Sequence, residues 1–260
     1  MSQTETVAGN QTRVAVVTGG GRGSGRAISI ELAKTGVKVA VVARSAEQIN
    51  ETVDTIKSEG GQAIAFSVDV TDRRNVEKMV EETESQLGEI DLMVANAGYI
   101  GPAGPIWEVD PDDWWRCTDI NLRGPFLCSR AAARRMVTRS RGRIVVVASN
   151  AGLNATPFAS AYGVSKCAAI RFTEILASEI APHGIRAFSI SPGFVRTAMT
   201  ESASKTPEDE KYFGGFFVTD CPMGVMCPRS KRHNWSCLLH PVGPTNFPAG
   251  TSISTTIWMI

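Results

Sequence analysis

The sequence predicts a three-layer α/β/α fold, a single domain in which helices cover both faces of a doubly wound parallel sheet. Short apolar runs alternate with longer segments of helical spacing, and this alternation is typical of βαβ units. Some of the runs are continuous rather than alternating, as expected for strands buried on both faces. With 260 residues, 43 % of them hydrophobic, the chain is long enough for one such domain.

The elements are predicted in order from these patterns. The predicted strands are 13–17, 37–43, 63–68, 90–95, 144–147 and 185–191. The predicted helices are 26–35, 48–59, 72–86, 112–138 and a last one that contains residues 162–181. The long helix has Asn121 in its interior, where asparagine is unfavourable, so we expect a local hydrogen bond or a functional reason there.

A glycine-rich turn separates the first strand from the first helix. Glycine lets a backbone approach a diphosphate, and the N-terminus of a helix offers unpaired N–H groups and a positive dipole end. The turn therefore predicts a dinucleotide site, although a plain flexible turn is the alternative. The residues expected to line it are Gly19, Gly21, Arg22, Gly23, Ser24 and Gly25.

The end of the second strand predicts which dinucleotide is bound. An acidic residue there would bind the ribose hydroxyls of NAD, whereas an arginine suits the 2′-phosphate of NADP. Ala43 stands at the acidic position, Arg44 follows it, and Arg22 offers a second cation. We therefore expect NADP(H) to be preferred, with NAD(H) left open, and the alternative is that both arginines are merely exposed.

The strongest functional pattern lies between residues 144 and 166. Ser149 follows a buried strand, and Tyr162 and Lys166 are four residues apart on one face of a predicted helix. A tyrosine ordinarily titrates near ~10, so a pKa of about 7 needs roughly 4 kcal/mol from a nearby cation. Such a tyrosine could exchange protons at neutral pH while Ser149 holds a substrate oxygen. A chance pair on a helix surface is the alternative.

Composition narrows the function classes. The net charge of +1 gives no reason to expect nucleic-acid binding. The sequence shows no leader and no apolar run of ~18 residues, so we expect a cytoplasmic protein without a membrane anchor. The six cysteines lack Cys-x-x-Cys spacing, so we expect free thiols and no metal site.

In order and spacing, these motifs resemble the classical short-chain dehydrogenase/reductase family over about residues 13–200. The matching pieces are Thr18-Gly-x-x-x-Gly-x-Gly25, Asp69-Val70, Asn96-Ala97-Gly98, Asn121, Ser149, Tyr162-x-x-x-Lys166 and Pro192-Gly193…Thr197. The resemblance implies a Rossmann-like fold and hydride transfer between a nicotinamide and a ketone or secondary alcohol. Ala95, where asparagine is common, and Ser24, where an apolar residue is usual, are mild departures.

The resemblance also implies roles for particular residues. Tyr162 would be the acid/base, Lys166 would lower its pKa, Ser149 would orient the substrate oxygen, and Asn121 would hold a relay water. Further cofactor contacts are implied at Asp69, Val70, Asn96, Ala97, Gly98, Tyr162, Lys166, Pro192, Gly193, Val195 and Thr197. The family usually forms homodimers or homotetramers, although the contacts that often make the tetramer lie in this chain's unusual tail.

The resemblance divides the chain into four parts. They are a flexible N-terminus (1–12), a dinucleotide-binding and catalytic domain (13–200), a substrate-lid segment (201–220) and an atypical tail (221–260). Two alternatives to an oxidoreductase remain. The tail could leave a cofactor-binding protein without turnover, or the same cofactor could serve a related lyase or epimerase.

The tail departs from the family pattern, and a shifted reading frame is one hypothesis for it. Back-translation one nucleotide upstream permits Pro-Glu-Glu over codons 227–230 and an apolar helix over codons 232–239, as the family pattern would require. The alternative is a genuinely divergent tail. We expect resequencing across codons 210–260 to find a nucleotide inserted or lost, and an error-free frame there would contradict the hypothesis.

Overall fold

The computed structural model of the chain describes residues 13–193 and 211–212. Six strands lie in this part of the chain: β1 (Val14–Thr18), β2 (Lys38–Ala43), β3 (Ala63–Ser67), β4 (Ile90–Ala95), β5 (Gly142–Val147) and β6 (Ile185–Ile190). They form one sheet in the order β3-β2-β1-β4-β5-β6, and all five pairings are parallel. The predicted doubly wound α/β fold is confirmed.

Helices connect the strands and cover the sheet. They are α1 (Gly23–Lys34), α2 (Ala46–Ser58), α3 (Arg73–Leu87), α4 (Pro111–Thr118), α5 (Gly124–Arg139) and α6 (Ser160–Ile180). Side chains of α1 and α2 pack in one apolar cluster, whereas those of α3, α5 and α6 pack in another. The two clusters lie on opposite faces because successive side chains of a strand alternate between the faces. Val17 and Val39 belong to the first, and Val16 and Ala40 to the second.

The strand order reverses between β1 and β4. From β1 the chain winds outward through β2 to β3, and it then returns to place β4 on the other side of β1. In an open parallel sheet, the crevice at the carboxyl ends of the strands beside such a reversal is the expected ligand site. The fold therefore places the ends of β1 and β4, at Thr18 and Ala95, beside that crevice.

The prediction of one continuous helix over residues 112–138 is wrong, because the structure divides this stretch into two α-helices. A π-helical segment at Asp119–Arg123 separates α4 from α5, and the N–H of Gly124 donates to the carbonyl of Asp119. Pro125 gives the physical reason. It has no N–H to donate to the carbonyl of Asn121, four residues earlier, so the α-helical ladder cannot continue through this point.

The first helix also begins earlier than predicted. It starts at Gly23 rather than at residue 26, and Arg22 precedes it without a side-chain capping bond. The N–H groups of a helix's first turn have no carbonyl partner within the helix. Because α1 begins inside the glycine-rich motif, the unpaired N–H groups of its first turn are those of motif residues.

The four-part division of the chain remains a prediction. The proposed N-terminal segment 1–12 and tail 221–260 lie outside the described residues, as does all of the 201–220 segment except Lys211 and Tyr212. Within the described ranges, none of the helices is both long and apolar enough to cross a membrane.

Candidate active site

The hydroxyl of Thr18 ties the ends of β1 and β4 together. Its Oγ1 accepts from the backbone N–H groups of Asn96 and Ala97, each at 3.0 Å, and the Asn96 side chain donates to the Thr18 carbonyl at 2.8 Å. Only 1 % of Thr18 is exposed, so these bonds lie in a low-dielectric interior. Thr18 belongs to the glycine-rich motif, but nothing in the sequence pattern indicates that its hydroxyl shapes the site.

The glycine turn packs against this junction without room for side chains. Gly19 has a left-handed backbone (φ 66°), and a Cβ on it would lie 2.8 Å from the amide nitrogen of Asn96. A Cβ on Gly25 would lie 2.1 Å from the carbonyl oxygen of Gly19. The turn is therefore held tightly against the first turn of α1, whose uncapped N–H groups fit the diphosphate of a dinucleotide.

Two arginines stand near the same edge of the sheet. Arg22 precedes α1, Arg44 follows β2, and both side chains are exposed. Burial raises the pKa of the Asp69 carboxyl, but hydrogen bonds from Thr71 and the charges of Arg44 and Arg116 outweigh burial and lower it. The edge thus offers cations at the end of β2 and a fixed carboxylate after β3.

A close contact between Gly152 and α6 brings Ser149 to Tyr162. Ser149 precedes a short 3₁₀ turn (Asn150–Gly152), and its Oγ accepts from the N–H of Ala151 at 3.2 Å. A Cβ on Gly152 would lie 2.6 Å from the carbonyl carbon of Lys166, so the turn lies directly against the helix. Across this contact the Ser149 hydroxyl lies close enough to the Tyr162 phenol to influence its pKa.

The direction of the Tyr162 pKa differs from the expectation that Lys166 would lower it. Burial raises the pKa of the phenol above its ordinary value, and the hydrogen bond from Ser149 lowers it by less. The ammonium of Lys166 lies 5.6 Å from the centroid of the Tyr162 ring. The phenol is therefore protonated at neutral pH in this arrangement, because burial disfavours the phenolate more than its neighbours stabilise it.

Lys166 is buried, and its own pKa shifts strongly. Its Nζ donates to the carbonyl of Val147 at 2.8 Å, and 4 % of the residue is exposed. Burial lowers the pKa of the ammonium from 10.5 to about 8. Lys166 is therefore still mainly charged at pH 7 but can release a proton slightly above it.

Both the oxygen and the nitrogen of the Asn121 side-chain amide form hydrogen bonds with the backbone of Tyr99. Its Oδ1 accepts from the Tyr99 N–H at 2.8 Å, and its Nδ2 donates to the Tyr99 carbonyl at 2.8 Å and to Ser165 Oγ at 3.0 Å. A Cβ on Gly98 would lie 3.2 Å from this Oδ1 and 3.6 Å from the Nζ of Lys166. The predicted local hydrogen bond is thus present, and Asn121 lies beside Lys166.

Tyr99, Ser165 and Cys117 were missed by sequence analysis. The Tyr99 hydroxyl donates to Asp113 at 2.8 Å. Burial, and after it the hydrogen bond to Asp113, raises the pKa of Tyr99 to about 12. Burial likewise raises the pKa of Cys117 to about 11, so this residue remains a thiol beside Asn121. The sequence offers one indication of such residues: a buried amide such as that of Asn121 needs hydrogen-bond partners nearby.

The structure brings most of the predicted residues to one edge of the sheet. Asn121, Ser149, Tyr162 and Lys166 converge, and Asn96, Ala97 and Gly98 lie between them and the glycine turn. Val70 is buried and contacts the position of Gly124, while Pro192 and Gly193 follow the end of β6. Val195 and Thr197 lie outside the described residues. Which of these residues touch a cofactor or substrate stays a prediction.

A model of the short chain dehydrogenase family matches residues 13–208. The chain belongs to the short-chain dehydrogenase/reductase family. It is therefore a member of an oxidoreductase family that uses NAD(P)(H) and acts on small molecules. The expected Rossmann-like architecture agrees with the solved relatives of this family.

Two similar proteins and two solved structures show the range of the resemblance. A short chain dehydrogenase of Pseudocercospora fijiensis is 37 % identical over 76 % of this chain and 63 % of its own length. A 3-oxoacyl-[acyl-carrier-protein] reductase of Synechocystis is 36 % identical over 75 % and 79 %. A short-chain type dehydrogenase/reductase from Mycobacterium marinum has a TM-score of 0.73 and 33 % identity, covering 82 % of each chain. A metagenomic short-chain oxidoreductase in complex with NADP has a TM-score of 0.67 and 32 % identity, covering 71 % of this chain and 83 % of its own.

The buried ammonium of Lys166 generates a pH-dependent stability prediction. Between pH 8 and 10.5 the unfolded chain binds a proton at Lys166 that the folded protein has released, so stability rises with pH. Lys166→Met removes this titration. The free energy of unfolding of the variant minus that of the wild type should therefore fall by about 3 kcal/mol between pH 7 and 10.5.

Denaturant unfolding of both proteins across this range measures the difference. The control is Lys78→Met, because the Lys78 side chain is 71 % exposed and its ammonium is solvated in both states. A difference between Lys166→Met and the wild type that stays constant with pH would show that Lys166 is not desolvated as described.

Proposed function

We propose that the chain is an NADP(H)-preferring oxidoreductase that interconverts a ketone and a secondary alcohol. The observation that carries the proposal is the convergence of Ser149, Tyr162, Lys166 and Asn121 at the crevice beside the strand reversal. A protonated phenol, a hydroxyl and a buried ammonium together can hold a carbonyl oxygen and supply its proton.

The turn residues fit the dinucleotide that the family uses. The glycines let the turn lie directly against the uncapped start of α1, where side chains on Gly19 and Gly25 would collide with neighbouring atoms. The diphosphate would lie along Gly19, Gly21, Arg22, Gly23, Ser24 and Gly25. A bound nicotinamide would supply hydride to the carbonyl carbon in reduction and accept it in oxidation.

Tyr162 and Lys166 would supply the proton that the carbonyl oxygen gains in reduction. In reduction, Ser149 donates a hydrogen bond to the carbonyl oxygen and Tyr162 gives that oxygen its proton. The raised pKa of Tyr162 supports this role, because the phenol is held in its acid form at neutral pH. Lys166 can then return a proton to Tyr162, since its pKa of about 8 lets it both hold and release one near neutrality.

The preference for NADP(H) rests on charge at the end of β2. Arg44 and Arg22 are exposed cations, and Ala43 leaves that position without a carboxylate. A charge-assisted hydrogen bond between a guanidinium and a 2′-phosphate favours NADPH over NADH.

A homodimer or homotetramer also stays a prediction. Phe126 on α5 and Val164 and Ile175 on α6 are 43 %, 52 % and 52 % exposed. Apolar side chains on two neighbouring helices support burial against a second copy. Light scattering on the purified chain would decide between these states and a monomer.

The first prediction of this proposal concerns Tyr162→Phe. Loss of the hydroxyl should reduce the rate of NADPH oxidation with a carbonyl panel by about 10²- to 10⁴-fold, because the group proposed to protonate the oxygen is then missing. NADPH affinity, measured by fluorescence titration, should change little. Full turnover in the variant would refute the acid role of Tyr162.

The wild type in the same assay separates the alternatives. A cofactor-binding protein without turnover would bind NADPH but oxidise none with any carbonyl. A lyase or epimerase would convert its substrate with no net loss of NADPH. The oxidoreductase proposal requires one alcohol formed for each NADPH consumed.

The second prediction concerns Arg44→Ser. This change should weaken NADPH binding by about 10- to 100-fold and NADH binding by less than about threefold, since only NADPH carries the 2′-phosphate. Arg143→Ser is the matched control, because Arg143 is an exposed arginine near the start of β5, at the opposite edge of the sheet. Equal weakening of both cofactors, or tighter NADH binding by the wild type, would contradict the preference.

A further inference from the structure

Phe158 occupies a turn position that ordinarily belongs to glycine or asparagine. The N–H of Ala159 donates to the carbonyl of Thr156 at 3.3 Å, which closes a turn with Pro157 second and Phe158 third. Among the described residues, Phe158 and Ser140 are the non-glycine residues with positive φ, at 65° and 52°. Ser140 ends α5 and its N–H bonds the last turn of that helix, which is a common use of the left-handed conformation. Phe158 ends no helix. For a bulky side chain such a φ is a genuine outlier, and outliers of this kind cluster at ligand sites.

Contacts on both sides hold Phe158 in this conformation. Its carbonyl accepts from the N–H of Gly104 at 2.9 Å, which joins the segment before α6 to the loop after β4. Its ring lies against the ring of Tyr212, with centroids 4.8 Å apart and planes 34° apart. A Cβ on Gly104 would lie 3.8 Å from the Tyr212 ring, so these three residues form one contact.

The aromatic pair adjoins the apolar surroundings of Tyr162. Ala159, next to Phe158, is buried and packs with Tyr162, Ile100 and Ala103. The Ala159 carbonyl accepts from the N–H of Gly163, which fixes this residue on the first turn of α6. The Phe158 ring nevertheless stays 40 % exposed. Phe158 therefore presents an exposed aromatic ring one residue away from the cluster that contains Tyr162.

We propose that Phe158 and Tyr212 form an aromatic subsite that binds a planar aromatic substituent of the carbonyl substrate. The inference rests on the proposed function for the position of the carbonyl group, at Ser149 and Tyr162. A flat aromatic group can stack on these rings or meet them edge to face, whereas a puckered aliphatic ring of equal size makes fewer such contacts. The subsite selects aryl ketones over aliphatic ones.

The test compares two ketones of matched size, acetophenone and cyclohexyl methyl ketone. Binding to the full chain is measured by saturation-transfer NMR, with and without NADP⁺, so that no turnover is needed. The wild type should bind acetophenone about fivefold more tightly than its saturated counterpart, the magnitude typical of one aromatic contact. Phe158→Gly should abolish this preference without lowering Tm, because glycine adopts φ 65° without strain.

Ser140→Gly is the matched control. It removes a second left-handed non-glycine residue, at the end of α5, and should leave the preference for acetophenone binding unchanged. Tyr212→Leu, which keeps an apolar side chain but removes the ring, should lower the preference as Phe158→Gly does. This second variant carries the test if Phe158→Gly fails to fold.

Several outcomes would overturn the subsite. They are equal binding of the two ketones by the wild type, no detectable binding of either, and an unchanged preference in Phe158→Gly and Tyr212→Leu. Failure of the proposed function has a different signature, namely absence of NADPH oxidation with every carbonyl while the binding preference persists. Turnover without any aryl preference would leave the function standing and remove the subsite.

Discussion

The side-chain amide of Asn121 is the contact on which the arrangement of the site depends. It satisfies both backbone groups of Tyr99 after β4, and it reaches Ser165 on α6, whose hydroxyl donates to the carbonyl of Tyr162. One buried amide thus joins the end of β4, the π-helical segment and the helix that carries the phenol. Removing it would leave polar groups unpaired in the interior, which costs about 1–3 kcal/mol for each group.

Burial controls the chemistry of the groups that this amide brings together. An enclosed phenol resists ionisation and an enclosed ammonium tends to lose its proton, so the pKa of Tyr162 rises while that of Lys166 falls to about 8. The two pKa values, which are nearly equal in water, move apart because burial favours the neutral form of both groups. Proton transfer from the Lys166 ammonium to a Tyr162 phenolate, slightly uphill between the same groups in water, is consequently downhill here, and the reverse transfer is more uphill.

Sequence patterns were sufficient for the sheet and for placing several predicted site residues at one of its edges. Parallel strands end at one edge, so Ser149 and Asn96 could be placed near each other before any coordinates were known. The π-helical segment was within reach too, because Pro125 follows Asn121 by four residues, but helical periodicity alone concealed it. The direction of the Tyr162 pKa and the contact between the rings of Phe158 and Tyr212 depend on packing between distant segments, which no local pattern encodes.

The two edges of the sheet use polar groups in different ways. At the amino ends of the strands, Asp91 accepts from the N–H of Val14 and pairs with Arg141, while Glu84 pairs with Arg139 at 2.8 Å. These carboxylates and guanidinium groups neutralise each other within the protein. At the carboxyl ends, the ammonium of Lys166 is buried with a carbonyl as its hydrogen-bond partner, and Arg44 is exposed. A cation that is hydrogen-bonded to a neutral group is not neutralised by it. Its positive charge can therefore stabilise a phosphate or a developing oxyanion in the crevice.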